Sequence, residues 1–342
     1  MLQLPTRKGT KIERHNLAMA IADTIQNLAD RTGFKFGARG WAYYCEGLGM
    51  ITKGQFDQFE ALLTRLRKDG FLDLNVIEPD AARLATDVFD PDAEYSTPEE
   101  QAAVAVQQIG PQLESWARAY YENGYWDGLA FYVEMIVEKK DLLQIFGNVA
   151  NELRVRVTNG RGDTDIHSRA SMLKRFREHA EAGRQPVLLV IGDHDPKGLL
   201  IAEDMKKTVL SVKDAVLDGE PIWPDADFTV DHIGLTEQQI DDWGLMRLDN
   251  LETSGGKDLS SPGHPDHDKP YVQDYIDRFG VWKVEANALV AHADQSVEMF
   301  RDAVAQYIPV DHTANWRAAN APAQQQVRDH IELLMQSWTF GD

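Results

Sequence analysis

The 342-residue chain has a single cysteine, Cys45, so neither an internal disulfide nor a cysteine metal cage can form. That scarcity fits a reducing, cytoplasmic compartment and restricts any metal to oxygen or nitrogen ligands. Long apolar runs are also missing. The most apolar stretch, Val187 to Ile191, falls far short of the ~20 residues of a membrane span, and the start of the chain is polar and basic rather than leader-like. No membrane partner is expected. Neither a Walker loop nor a G-x-G-x-x-G fingerprint occurs, which leaves ATP and dinucleotide cofactors without support. Basic residues are scarce too: 35 Lys and Arg stand against 55 Asp and Glu, a net charge of −20, which at first sight counts against nucleic acid.

Resolved by region, the charge reads differently. Residues 1–68 hold 11 Lys and Arg against 6 Asp and Glu, leaving 24 against 49 for the remainder. The basic part includes Lys11, Arg14, Lys35 and Arg39, a candidate surface for an anionic partner such as double-stranded DNA, although a charge run of this kind also suits a solvated face. Apolar periodicity predicts helices from Leu17, over Trp41 to Leu48, and from Gln55 to Lys68, followed by a short strand at Phe71 to Leu74. A winged helix-turn-helix module over residues 1–78 and a plain helical bundle both fit. Residues 79–125 read as an acidic linker and a helix opening at Ser96-Thr97-Pro98.

Strand and helix then alternate. Strands are expected at Phe131 to Val137, Arg154 to Thr158, Val187 to Ile191 and Phe228 to Ile233, with helices at Lys140 to Leu153, His167 to Ala180 and Leu199 to Leu210. This is α/β grammar, a doubly wound, mainly parallel sheet with VLLVI at its buried centre. A polar loop from Thr253 to Asp268 precedes helices around Val297 to Tyr307 and Gln324 to Trp338, so residues 126–342 form the α/β domain with a helical extension.

In open α/β sheets chemistry lies beyond the carboxyl ends of the strands. The first strand runs into Glu138 and the central one into Asp193 and Asp195. Residues two apart in extended chain project to one side, so the aspartates are expected to converge while His194 points away. Three such oxygen donors suit Mg²⁺ bridging to phosphates. Asp195 before Pro196 also reads as a helix N-cap, and Glu138 as a carboxylate favouring a helix start. Lys197 follows, either as a phosphate contact or as a surface lysine. Glu285 fits either an approach to the metal crevice or a structural ion pair.

These pieces resemble the Toprim domain. Glu138-Lys139, Asp193-His194-Asp195-Pro196-Lys197-Gly198, the IGLTEQQI stretch from Ile233 and Lys283-Val284-Glu285-Ala286 are similar to the family of the topoisomerase VI A subunit and the meiotic double-strand-break transesterase, over roughly Phe131 to Leu289. The resemblance implies Mg²⁺ held by Glu138, Asp193 and Asp195, a winged helix before the Toprim domain, and a homodimer on duplex DNA. It also implies a tyrosine nucleophile in an Arg-x-x-Tyr-Tyr context. Here the segment is Arg39-Gly40-Trp41-Ala42-Tyr43-Tyr44, with the arginine one residue further upstream; by the family's usage Tyr44 attacks and forms a 5′-phosphotyrosyl link. The chain also resembles shorter bacterial and mobile-element Toprim proteins and the nuclease subunit of plasmid-defence condensin systems. The implied functions are therefore tyrosine transesterification, hydrolytic cleavage, or a non-catalytic DNA-binding subunit. Strand passage would need a separate ATPase subunit. A haloacid-dehalogenase-like phosphatase also uses D-x-D, but after the first strand of its core, and here two strands precede it.

Overall fold

The computed structural model describes residues 2–5, 10–78, 97–137, 139–160, 166–217, 219–253 and 257–336. They divide into two compact units, Met1–Ala81 with Ala130–Tyr307, and Ala82–Leu129 with Ile308–Asp342. No helix among the described residues is long and apolar enough to cross a membrane.

The first unit opens with α1 (Lys11–Thr32), α2 (Ala38–Gly47) and α3 (Phe56–Lys68). A reciprocal capping box between Thr10 and Glu13 starts α1, and Gly33 in the left-handed region ends it. Ile21, Ile25, Trp41, Phe59 and Leu63 bury the apolar stripes against one another, and the Trp41 indole donates to the Val76 carbonyl at 2.8 Å. The strand expected at Phe71 to Leu74 is instead a bend leading into a 3-10 turn, Leu74–Val76. Asp73 is the cause: its carboxylate accepts the Asn75 N–H at 2.7 Å and closes a local turn where a strand would need partners. The nearest thing to sheet there is a single parallel bridge between Phe36 and Ile77.

The core of this unit is a four-stranded, all-parallel sheet of β1 (Phe131–Val137), β2 (Arg156–Asn159), β3 (Gln185–Ile191) and β6 (Thr229–Gly234), ordered β2-β1-β3-β6. In sequence between β3 and β6 comes a separate small antiparallel ribbon, β4 (Val216–Leu217) with β5 (Glu220–Pro221). The two central strands are buried along nearly their whole length, as VLLVI predicts, while the edge strands β2 and β6 are largely half-exposed. Helices α5 (Lys140–Glu152), α6 (Ile166–Glu181), α7 (Ile201–Leu210) and α10 (Ala293–Ala305) pack on the sheet, and α8 (Glu237–Trp243) follows β6. Register pairs Val137 with Asn159 and Ile191, and Ile191 with Gly234, so all four strands end along one edge.

A charged side chain sits inside the sheet. Glu134 on β1 is 0% exposed and is gripped by Arg175 of α6 through two bonds of 2.6 and 2.7 Å, with the Tyr132 hydroxyl donating at 2.7 Å. A helix that sequence periodicity does not isolate, α9 (Pro270–Phe279), buries Val272 and Tyr275.

In the second unit α4 (Pro98–Arg118) packs with α11 (His312–Gln336). Arg328 forks onto Glu114 at 2.8 and 3.0 Å. The sequence pattern places the start of the terminal helix at Gln324; α11 begins twelve residues earlier and passes through Pro322. Packing outweighs the proline: the Trp316 indole and the Asn320 amide both donate to the Asn123 carbonyl, and Trp316 lies 4.5 Å from the Tyr121 ring.

Candidate functional site

At the end of β3 the chain continues extended long enough for His194 to pair with Val284, N–H to carbonyl, at 2.8 and 3.1 Å. The His194 ring points into an aromatic box, stacked on Trp282 at 5.0 Å, edge-on to Phe279, with Nδ1 2.7 Å from the Tyr275 hydroxyl. It is 1% exposed, and burial pulls its pKa down to about 4, so it is neutral at pH 7. Its backbone pairing brings residue 193 beside residues 285 and 286. The Ala286 N–H donates to Asp193 Oδ1 at 2.7 Å, and Lys139 Nζ stands 3.5 Å from Asp193 Oδ2.

Asp195 behaves as the cap that its proline neighbour suggests. Its Oδ1 accepts from the Lys197 and Gly198 amides at 2.9 and 2.6 Å. Gly198 is needed for this turn, because a Cβ at that position would collide with the Asp193 carbonyl. The Lys197 side chain is exposed. Glu138 lies outside the described residues. Among those described, no group of three or more His, Cys, Asp or Glu side chains is placed to hold a metal ion.

The tyrosine helix α2 reaches this edge from the other end of the sequence. It packs on the Ala286–His292 segment so closely that a Cβ on Gly47 would overlap that of Ala291. Tyr43 donates its hydroxyl to Glu285 Oε2 at 3.1 Å, and Lys53 pairs with Glu285 Oε1 at 2.6 Å, with Lys283 3.7 Å away. Burial works to raise the Glu285 pKa, but the Lys53 hydrogen bond and charge, Lys283 and Tyr43 outweigh it, and the carboxyl lies below its ordinary range. The Tyr43 phenol is pushed up, first by burial and then by the Glu285 charge. Beside these groups opens a cavity of about 240 Å³ lined by Glu46, Lys53, Leu248 and His292 among others.

Tyr44 faces elsewhere, packed 5.9 Å from the Phe36 ring and 5.7 Å from Trp41, with its phenol also pushed up by burial. Helix geometry separates the two: Arg39 and Tyr43 are four residues apart and share a face, whereas Tyr44 is a further ~100° round. Arg39 accordingly lies 5.8 Å from the Tyr43 ring centre and 4.9 Å from that of Phe56, with Nη1 on Glu60 at 2.8 Å and Asp57 at 3.4 Å. Lys11 and Arg14 in the first turns of α1, and Lys35 just before α2, are exposed. The structure thus brings together Asp193, Lys139, Glu285, Lys53 and Tyr43, while Asp195 and Tyr44 turn to other partners. Lys53 escapes a reading of the sequence, where it is one lysine in a polar turn with nothing to link it to residue 285.

No protein-family model matches the chain, and no curated protein is found as a relative.

Proposed function

We propose that this protein is a magnesium-dependent DNA-cleaving enzyme of the topoisomerase VI A type, in which a tyrosine of α2 attacks the phosphodiester. The observation that carries this reading is the convergence of α2 with the aspartate-bearing end of β3, two segments some 150 positions apart in sequence, joined through Glu285 and Ala286. The N-terminal helices, with Lys11, Arg14 and Lys35 on their surface, would act as the winged-helix-like DNA contact, and Lys197 as a phosphate contact at the strand ends. A homodimer would present paired sites to one duplex, and strand passage would require a separate ATPase subunit.

The donor chemistry suits the metal. Asp193, Asp195 and Glu138 offer hard carboxylate oxygens, and Mg²⁺ needs only one or two of these while keeping several waters. When bound, it supplies charge neutralisation at the phosphodiester. The chain's own groups do the rest. The Ala286 amide fixes the Asp193 carboxylate, and Lys139 marks the position by its 3.5 Å approach as one where positive charge is favoured. Glu285 holds a phenol hydroxyl by its proton.

The test is supercoiled plasmid with Mg²⁺, resolved with and without protease. Transesterification gives cut DNA that enters the gel fully only after proteolysis, and Asp193→Ala abolishes it. Cleavage unaffected by Asp193→Ala would refute the proposal. A hydrolytic nuclease is the second reading, favoured by the raised pKa of both phenols; it gives cut DNA with no protease dependence.

A further inference from the structure

We infer that Tyr43, not Tyr44, is the tyrosine that attacks the phosphodiester, with Glu285 as the acceptor of its proton and Lys53 holding Glu285 in place. This rests on the transesterase reading above and specifies its chemistry.

Three independent features single out Tyr43. Its hydroxyl is already hydrogen-bonded, as donor, to a carboxylate at 3.1 Å, the arrangement a general base requires before a phenol can act as a nucleophile. That carboxylate belongs to the residue just before Ala286, whose N–H holds Asp193, so the phenol is linked to the strand-end aspartate through two consecutive residues. Finally, Arg39 shares the Tyr43 face of α2, and the Tyr43 side chain opens onto the cavity of about 240 Å³ shared with Lys53 and Glu285. Tyr44 lacks each of these: its ring is packed on Phe36 and Trp41, it does not line that cavity, and its hydroxyl has no hydrogen-bond partner among the described residues.

Glu285 is held by two lysines, Lys53 at 2.6 Å and Lys283 at 3.7 Å, and so stays ionised and oriented while the cavity is open to solvent. In the step, Tyr43 Oη forms a bond to phosphorus as the bond from phosphorus to O3′ breaks. The phenol proton passes to Glu285 Oε2, and O3′ leaves by taking a proton from water. The hydroxide so formed is neutralised when Glu285 gives up its proton. The product is a 5′-phosphotyrosyl ester and a free 3′ hydroxyl, and resealing runs the same transfers backward.

The experiment is to trap wild-type protein on plasmid with Mg²⁺ by rapid denaturation, digest both components, and assign the nucleotide-bearing tyrosine by fragment-ion sequencing. The expected site is Tyr43. In parallel, Tyr43→Phe should lose the adduct and Tyr44→Phe should keep it within about threefold. Glu285→Gln should slow its formation by roughly 10²-fold or more, the scale of a lost general base. Because the wild-type mapping reads the modified residue directly, it stands even if a variant folds poorly. An adduct on Tyr44 overturns this inference and leaves the transesterase reading intact. Cleavage that yields no adduct on either tyrosine, or no cleavage by the wild type, overturns the reading itself and this inference with it.

Discussion

Replacing Arg175 by Met isolates the one buried charge in the sheet. Glu134 is 0% exposed and takes two of its three hydrogen bonds from Arg175, at 2.6 and 2.7 Å, with Tyr132 supplying the third. Truncating one partner of such a pair leaves the other charge in a low-dielectric core, which costs about 3–5 kcal/mol, far more than the ~0–1 kcal/mol of an exposed ion pair. For a domain of this size, each kcal/mol is roughly 2–4 °C in melting temperature, so Arg175→Met should lower it by roughly 6–20 °C. Removing both charges should cost much less, because an apolar pair of similar volume needs no desolvation; Glu134→Leu with Arg175→Met is expected within about 2 kcal/mol of wild type. Urea unfolding followed by circular dichroism gives both numbers. If Arg175→Met costs under about 1 kcal/mol, or the double variant costs as much as the two singles together, the account of this core is wrong.

Further outcomes follow from other residues. His179 stacks on Tyr132 at 3.6 Å; burial, then the charges of Arg184, Arg156 and Arg175, pull its pKa down to about 4. A lowered folded-state pKa means the unfolded chain binds the proton more tightly. The His179 contribution, on the order of 2 kcal/mol, should therefore be complete above pH ~6.5 and fade as pH falls toward 4, and His179→Gln should flatten that part of a stability-against-pH curve. Gly198→Ala places a Cβ against the Asp193 carbonyl, so it should abolish Mg²⁺-dependent cleavage and lower the melting temperature by a few degrees, readable in one preparation. Neutralising exposed Lys11, Arg14 and Lys35 together should weaken duplex binding without regard to sequence. The same change should flatten the salt dependence by about one unit for each phosphate that no longer meets a cation, measured by fluorescence anisotropy across a salt series.

Much of the fold is legible in the sequence because its signals are local. The run VLLVI marks a fully buried strand, the alternation of strands and helices implies a parallel sheet, and Gly33 closes α1, although that helix starts at Lys11, six residues before the apolar periodicity from Leu17. Where a side chain takes over the backbone's hydrogen bonding, or where packing overrides propensity, sequence patterns mislead. Asp73 turns an apolar FLDL segment into a bend, and the hydrogen bonds of Trp316 and Asn320 carry α11 through Pro322. The candidate site divides in the same way. Asp193 and the cap at Asp195 follow from D-x-D-P-x-G after a strand, whereas the burial of His194 in a box of Tyr275, Phe279 and Trp282 depends on residues far along the chain. Glu285 is visible as a candidate, but its partners are not, because Tyr43 and Lys53 lie 242 and 232 positions away. The choice between adjacent tyrosines depends on helical phase relative to Arg39 and on what faces α2 across the fold, which no local motif encodes.

The central claim, that the carboxylate edge of β3 supports metal-dependent DNA cleavage, is tested most directly by conversion of supercoiled plasmid as Mg²⁺ is titrated, wild type beside Asp193→Ala. The account predicts nicked or linear product that rises with Mg²⁺, vanishes with a chelator and is absent in the variant. Equal product from both proteins, product that persists in the chelator, or intact plasmid at every Mg²⁺ concentration would contradict it.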